Sequence, residues 1–216
     1  MDEVNPPRRR YDNTSRQTQA TARRHAILRA GHELLVTNGY SATTMATIAE
    51  AAGVSVETVY KGFGNKPELV RQILGTAVAG DDDPIALIDR PAMQAALRAR
   101  SGAQILAAFA DASTDILTRI GPLLATLLVA GRAGEPELRD IAHTANEQRL
   151  ADVRRIIDAV AATGDLHPAL DPARAADILW TIGSPEVHQQ LTVDRGWSND
   201  DYRSWLTTTL RAVLVR

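Results

Sequence analysis

The sequence contains no cysteine, which excludes disulfides, thiolate metal sites and cysteine nucleophiles and suits a reducing cytoplasm. No stretch approaches the roughly 18 consecutive apolar residues of a membrane-spanning helix. The opening residues, MDEVNPPRRRYDNTSRQ, lack the apolar core of a secretory signal. The expectation is a cytoplasmic protein with no membrane partner. Aromatic residues make up 4 % of the chain, so a ligand cavity would be walled mainly by aliphatic side chains and would suit a small apolar or amphipathic molecule. No P-loop, dinucleotide fingerprint or nucleophile elbow is present, and no cofactor is expected. The five histidines (His25, His32, His143, His167 and His188) are scattered. His143 and Glu147 lie four apart, yet no partner histidine completes a zinc-type ligand set. Neither an enzyme nor a metal site is expected.

Lysine is nearly absent as well, at Lys61 and Lys66 only, and arginine supplies the other basic charge. The net charge is −2, but it is unevenly spread. Residues 1–80 hold ten basic and seven acidic side chains, whereas the rest of the chain is acidic. Polyanion contact, if present, therefore belongs to the front of the molecule.

What the chain does have is helical periodicity almost throughout, and no alternating β-branched run competes with it. Residues 1–16 read as a flexible basic tail, with Pro6-Pro7 before Arg8-Arg9-Arg10. From about Thr18, the residues Ile27, Ala30, Gly31, Leu34 and Leu35 recur at helical spacing, and Asn38-Gly39 supplies a stop. Two short helices follow, from about Thr44 to Ala52 and from Val56 to Phe63. A fourth is opened by Asn65 as N-cap, with Pro67 in its first turn and Glu68 at the capping-box position. The run at 80–84, GDDDP, marks a boundary. Beyond it the spacing predicts helices near 85–99, 102–120, 122–132, 136–163, 171–183 and 198–215. The fold class is all-α, with a DNA-binding unit over 17–80 and a larger body over 81–216.

The informative stretch is 44–68, TMATIAEAAGVSVETVYKGFGNKPE. Two short helices separated by Gly53-Val54-Ser55 meet the requirements of a helix-turn-helix. Ala49 is small where the helices approach, and Gly53 takes the positive φ that ends the first of them. Val54 plugs the gap between them, and Ser55 caps the second. In such a motif the second helix enters the major groove and its N-terminal half meets base edges. Those positions are Val56, Glu57 and Thr58, with Lys61 one turn on. Val56 suits a thymine methyl and Glu57 suits cytosine N4; Glu57 can equally cap the helix start or face solvent.

The run IAEAAGVS, then ETVY, then GFGNKPEL, resembles the N-terminal domain of the TetR family of regulators. Thr44, Ile48-Ala49, Ala52-Gly53-Val54-Ser55, Thr58-Val59-Tyr60, Phe63, Lys66 and Glu68 all fit that pattern. Gly62 departs from it, where the family often carries a second aromatic. The resemblance implies phosphate contacts from Tyr60 and Lys66 and a double role for Thr44 as cap and phosphate donor. It also implies a homodimer formed largely by the last two helices, a double-stranded DNA operator, and a small-molecule effector in a cavity among the middle helices. Arg8-Arg9-Arg10 would then reach a minor groove or remain a solvated tail. On helix 198–215, Tyr202, Leu206, Leu210 and Val213 form an apolar stripe beside Trp205, which serves either a dimer seam or the protomer's own core; the resemblance favours the seam. Asp200, Asp201 and Arg203 are expected to be solvated. Phe109, Leu128, His143, Asn146 and Trp180 are placed near the cavity, and the short helix 123–132, bracketed by Gly121-Pro122 and by Gly131 to Gly134, is the expected moving part. The rival reading is a small-molecule-binding helical protein that keeps the helix-turn-helix only as packing.

Overall fold

The computed structural model describes residues 13–79, 87–89, 91–132, 134 and 136–216; the Arg8-Arg9-Arg10 cluster and the 80–84 boundary lie outside them. Among the described residues ten α-helices follow one another. They are α1 (Asn13–Ala42), α2 (Met45–Ala52), α3 (Val56–Phe63), α4 (Lys66–Ala79), α5 (Pro91–Leu97), α6 (Gly102–Arg132), α7 (Pro136–Ala162), α8 (Pro172–Ile182), α9 (Pro185–Gln189) and α10 (Asn199–Leu214). No strand occurs among them; the nearest thing is an isolated bridge between Leu166 and Val215. The all-α expectation holds.

Three boundaries differ from the reading of the sequence. Helix α1 begins at Asn13 rather than near Thr18, and so takes up the end of the expected tail. Its stop is as expected: Gly39 leaves helical geometry at φ 81° and ψ 171°. The buried Thr43 secures that end, its Oγ1 donating to the carbonyls of Leu34 (3.1 Å) and Gly39 (2.8 Å). Gly121-Pro122 does not break the chain; α6 runs unbroken from Gly102 to Arg132. Proline costs a helix interior about 3 kcal/mol through its missing N–H and its clash with the preceding turn. Here Pro122 sits on the exposed side, where water can satisfy the freed Thr118 carbonyl, while Ile120, Leu123 and Leu127 are buried opposite. Finally, the segment after Ser184-Pro185 is helical. Ser184 Oγ accepts from Val187 N at 3.2 Å and starts α9, which passes into a π-helical turn, Gln190–Asp194.

Two apolar cores result. The first joins Ile27, Leu35, Ile48, Val59, Phe63, Leu69 and Ile73 of α1–α4 to Leu123, Leu127 and Ala130 of α6 and to Leu138 and Ile141 of α7. Gly31 allows α1 and α4 to close on each other: a Cβ there would lie 2.6 Å from Ile73 Cδ1. The second core gathers Ile105, Leu106, Leu117, Ile157, Leu179, Tyr202, Leu206 and Leu210 from α6, α7, α8 and α10. Helix α6 therefore contributes to both.

The C-terminal helix corrects another expectation. Tyr202, Leu206, Leu210 and Leu214 are each fully buried inside the protomer. Their four-residue step puts them on one face, and that face packs on α6 and α8. The stripe read as a dimer seam is core. What α10 leaves outside is Val213, at 37 % exposure, and the half-buried Trp205. Nor is Arg203 merely solvated: it reaches Asp111 (3.2 Å) and Asp115 (2.8 Å) on α6. Asp201 completes a capping box with Ser198.

Candidate nucleic-acid interface

Each cap read from the sequence is formed. Thr44 Oγ1 accepts from Thr47 N at 3.1 Å, and the Thr47 hydroxyl answers to Thr44 N at 3.0 Å. This reciprocal box satisfies the first orphan donors of α2. Gly53 ends α2 in the left-handed region at φ 66°, its N–H and that of Val54 returning to the carbonyls of Glu50 and Ala49. Ser55 Oγ accepts from Thr58 N at 3.3 Å and lies 3.0 Å from Thr58 Oγ1, so two hydroxyls lock the start of α3. Asn65 Oδ1 accepts from Glu68 N at 2.9 Å at the start of α4. The reciprocal half of that box is absent, because the Glu68 carboxylate turns to Gln72 and Arg71.

Packing then decides which side of α3 faces out. Val59 and Phe63 are buried against α1, α2 and α4, and Val54 and Val56 are half-buried beside them. Glu57, Tyr60 and Lys61 point outward, with Tyr60 51 % exposed despite its large ring. Thr44 is exposed at the start of α2 and Thr58 is half-buried. Glu57 accepts from its own backbone N–H and from Ser55, which holds its carboxyl below the usual carboxylate range. It remains an anion at neutral pH and serves the helix start.

Lys66, expected as a phosphate anchor, has partners within the protein. Its ammonium donates to the Tyr40 carbonyl and lies 3.7 Å from the centre of the Tyr40 ring. It ties the first turn of α4 to the end of α1. Sequence spacing carried no sign of this pair, since 26 residues separate the partners. Arg24 of α1 was missed in the same way; its guanidinium stands over the Phe63 ring at 5.1 Å. The side chains of α1 from Arg16 to His25 are exposed next to this face.

The residues placed near an effector cavity divide. Phe109 and Trp180 are half-buried among α6, α7 and α8, and the Phe109 ring closes on Gly183, where a Cβ would lie 3.1 Å from it. His143 and Asn146 are exposed on the outer side of α7. The inward positions of that helix are held by Ile141, Val153 and Ile157, so these two face away from the core. The Leu128 side chain lies outside the described residues. Sequence reasoning missed Arg149 altogether. It stacks on the Trp180 ring at 4.2 Å and its Nη1 donates to the Trp180 carbonyl at 2.7 Å. No group of three or more metal-ligating side chains occurs among the described residues. None of the described helices is long and apolar enough to cross a membrane.

Comparisons with known proteins agree on the front segment and on the fold. Residues 27–73 match the model of the bacterial regulatory proteins, tetR family. An uncharacterised HTH-type transcriptional regulator of Bacillus subtilis, YvkB, is 50 % identical over 48 residues, which are 22 % of this chain and 25 % of YvkB. The match thus spans about a quarter of that curated relative. Among solved structures, the chain is similar to NalD of Pseudomonas aeruginosa, described as the secondary repressor of the MexAB-OprM multidrug efflux pump. That pair has a TM-score of 0.65 and 22 % identity, over 92 % of this chain and 98 % of NalD. A TetR-family regulator from Rhodococcus sp. gives 0.67 and 20 %, over 90 % and 99 %. A complex of SmeT with triclosan gives 0.68 and 18 %, over 90 % and 92 %.

Proposed function

Because residues 27–73 make this chain a member of the tetR family of bacterial regulatory proteins, we propose that it is a homodimeric, ligand-responsive DNA-binding repressor. The observation that carries this reading is α3: doubly capped at its start, anchored by Val59 and Phe63, and presenting Glu57, Tyr60 and Lys61 outward. A helix kept only for packing has no need of an outward tyrosine and lysine one turn from its N-terminus. In the complex Val56, Glu57 and Thr58 meet base edges, while Tyr60, Lys61, Thr44 and the N-terminal turn of α3 at Ser55 face the backbone. Lys66 acts mainly by holding α4 in place. Two such helices, set about 34–36 Å apart, fit successive major grooves of a near-palindromic operator.

The dimer is assigned to the outer flank of α10 and the loop before it. Trp205 and Val213 lie there, with Trp197 37 % exposed and 6.2 Å from Trp205 between ring centres. The effector enters the body over 81–216. Helix α6 transmits its effect as one rod, since it packs in both cores. Arg119 grips the end of α4, donating to the carbonyls of Ala77 (3.2 Å) and Val78 (3.3 Å). A small shift of α6 therefore moves α4 and, through it, α3. A coupling of about 1–3 kcal/mol is enough to change operator occupancy 5- to 150-fold. The repressor sign draws on NalD and SmeT, both described as repressors of efflux pumps.

The test is fluorescence anisotropy with DNA flanking the gene against scrambled DNA of equal length, over a range of salt. Selective binding by at least 100-fold, reduced by Tyr60→Phe and Lys61→Ala, supports the reading. Equal affinity for both DNAs at every salt concentration would leave the helix-turn-helix as mere packing.

A further inference from the structure

Among the described residues of the body, three buried polar atoms have no hydrogen-bond partner. They are Arg149 Nε, Trp180 Nε1 and Tyr202 Oη. Arg149 comes from α7, Trp180 from α8 and Tyr202 from α10. The guanidinium lies over the Trp180 ring, and Arg149 and Tyr202 are near enough to influence each other's ionisation. Buried polar groups are ordinarily paired, so three unpaired ones together call for a cause.

Their chemistry is one-sided. An arginine Nε–H and an indole N–H are donors only, and a phenol donates readily. The phenol oxygen is the one acceptor among the three atoms and takes neither nitrogen's hydrogen, so all three donors lack a partner. Desolvation lowers the Arg149 pKa to about 10, against the favourable charge of nearby Glu186. Burial raises that of Tyr202, so its hydroxyl keeps its proton. Phe109, Ile182, Val187 and Leu191 are half-buried in the same apolar core as Trp180 and Tyr202. We infer that Arg149, Trp180 and Tyr202 form the polar end of the effector site and select an amphipathic carboxylate. Its two oxygens take the guanidinium, indole and phenol donors, and its hydrocarbon part lies against these apolar side chains. This rests on the reading of the body as an effector domain, and narrows the effector from an apolar or amphipathic molecule to an acid.

The inference also accounts for a cost built into the free protein. Three donors without partners weaken the unliganded body, and the acceptor arrives only with the effector. Replacing the arginine with methionine removes the unpaired Nε together with the bond to the Trp180 carbonyl and the stack on its ring, so selectivity for the acid, rather than stability, reads out the site.

Calorimetry and thermal melting of the full chain test this with four probes: octanoate and phenylacetate against their uncharged counterparts 1-octanol and 2-phenylethanol. The expected result is binding of at least one carboxylate at least tenfold tighter than its alcohol. Arg149→Met should abolish that preference. Trp180→Phe, which keeps the ring and removes only the N–H, should lower carboxylate affinity three- to tenfold and leave the alcohol unchanged. It carries the test if Arg149→Met fails to fold. Equal binding of acid and alcohol, no carboxylate binding up to 10 mM, or a preference that survives in both variants would overturn the inference. Selective DNA binding without carboxylate preference would defeat this inference alone. Carboxylate preference without selective DNA binding would defeat the regulatory reading and leave the site standing.

Discussion

Leu206 distinguishes a core from a seam, and the difference is measurable. Leu206 and Leu210 have no exposed surface within a single protomer, so truncating either leaves a hole whether or not a partner is present. Leu→Ala at such a site costs about 2–5 kcal/mol, the spread depending on how far the surroundings collapse. For a chain of this size each kcal/mol lowers Tm by about 2–4 °C, so Leu206→Ala should melt about 4–20 °C lower. Urea unfolding across a hundredfold range of protein concentration, with sedimentation at the same concentrations, separates this loss from dissociation. Leu206→Ala should lose stability by the same amount at every concentration and keep the parental dimer constant. Val213→Glu and Trp205→Glu should do the opposite, yielding folded monomers with at least tenfold weaker association. If Leu206→Ala gave well-folded monomers with an unchanged unfolding midpoint at low concentration, the stripe would be a seam after all and the assignment of α10 would be wrong.

Three other outcomes follow from the geometry. Ser55→Ala removes the cap of α3 and the hydroxyl partner of Thr58; urea unfolding should register a loss of about 0.5–2 kcal/mol, and operator affinity should fall with it. Lys61→Ala should reduce the slope of log affinity against log salt by about 0.9, the share of one phosphate. Lys66→Ala, whose ammonium is held by Tyr40, should leave that slope nearly unchanged while lowering stability; a full unit of slope would mean that it swings to DNA on binding. His188 is buried, and desolvation lowers its pKa against an opposing hydrogen bond with Asn199. The unfolded chain therefore takes up this proton more readily, so stability present at neutral pH is lost as pH falls below about 6.5. His188→Gln should flatten the fall in urea midpoint between pH 7 and pH 5, and an unchanged slope would assign it to other groups.

Local chemistry was legible in the sequence and long-range contact was not. Thr44, Gly53, Ser55 and Asn65 each act on atoms two to four residues away, so their roles can be read from spacing alone. The pairing of Lys66 with Tyr40, and of Arg149 with Trp180 across 31 residues, depends on how helices cross, which no local pattern records. Pro122 misled because a proline signals a break only when the lost bond matters; on an exposed face, opposite a packed stripe, the helix continues. The α10 stripe misled for a different reason. Apolar spacing shows that a face is covered, but it cannot say whether the cover is the same chain or a second copy. His143 and Asn146 were placed by residue type alone, and the phase of α7 turned them outward.

The sharing of α6 and α7 between the two cores bears on how this protein can be cut and recombined. Leu123, Leu127 and Ala130, with Leu138 and Ile141, cover the inner side of α1 and α4. A fragment ending at residue 80 would leave that side open to water, and so would a chimera joining this front to an unrelated body at that point. Such a graft should be insoluble or molten unless residues 120–141 travel with the front or the recipient supplies side chains of matching shape. The unit that can be transplanted is discontinuous in sequence, and a specificity swap made at the obvious linker would sever it through its own interior.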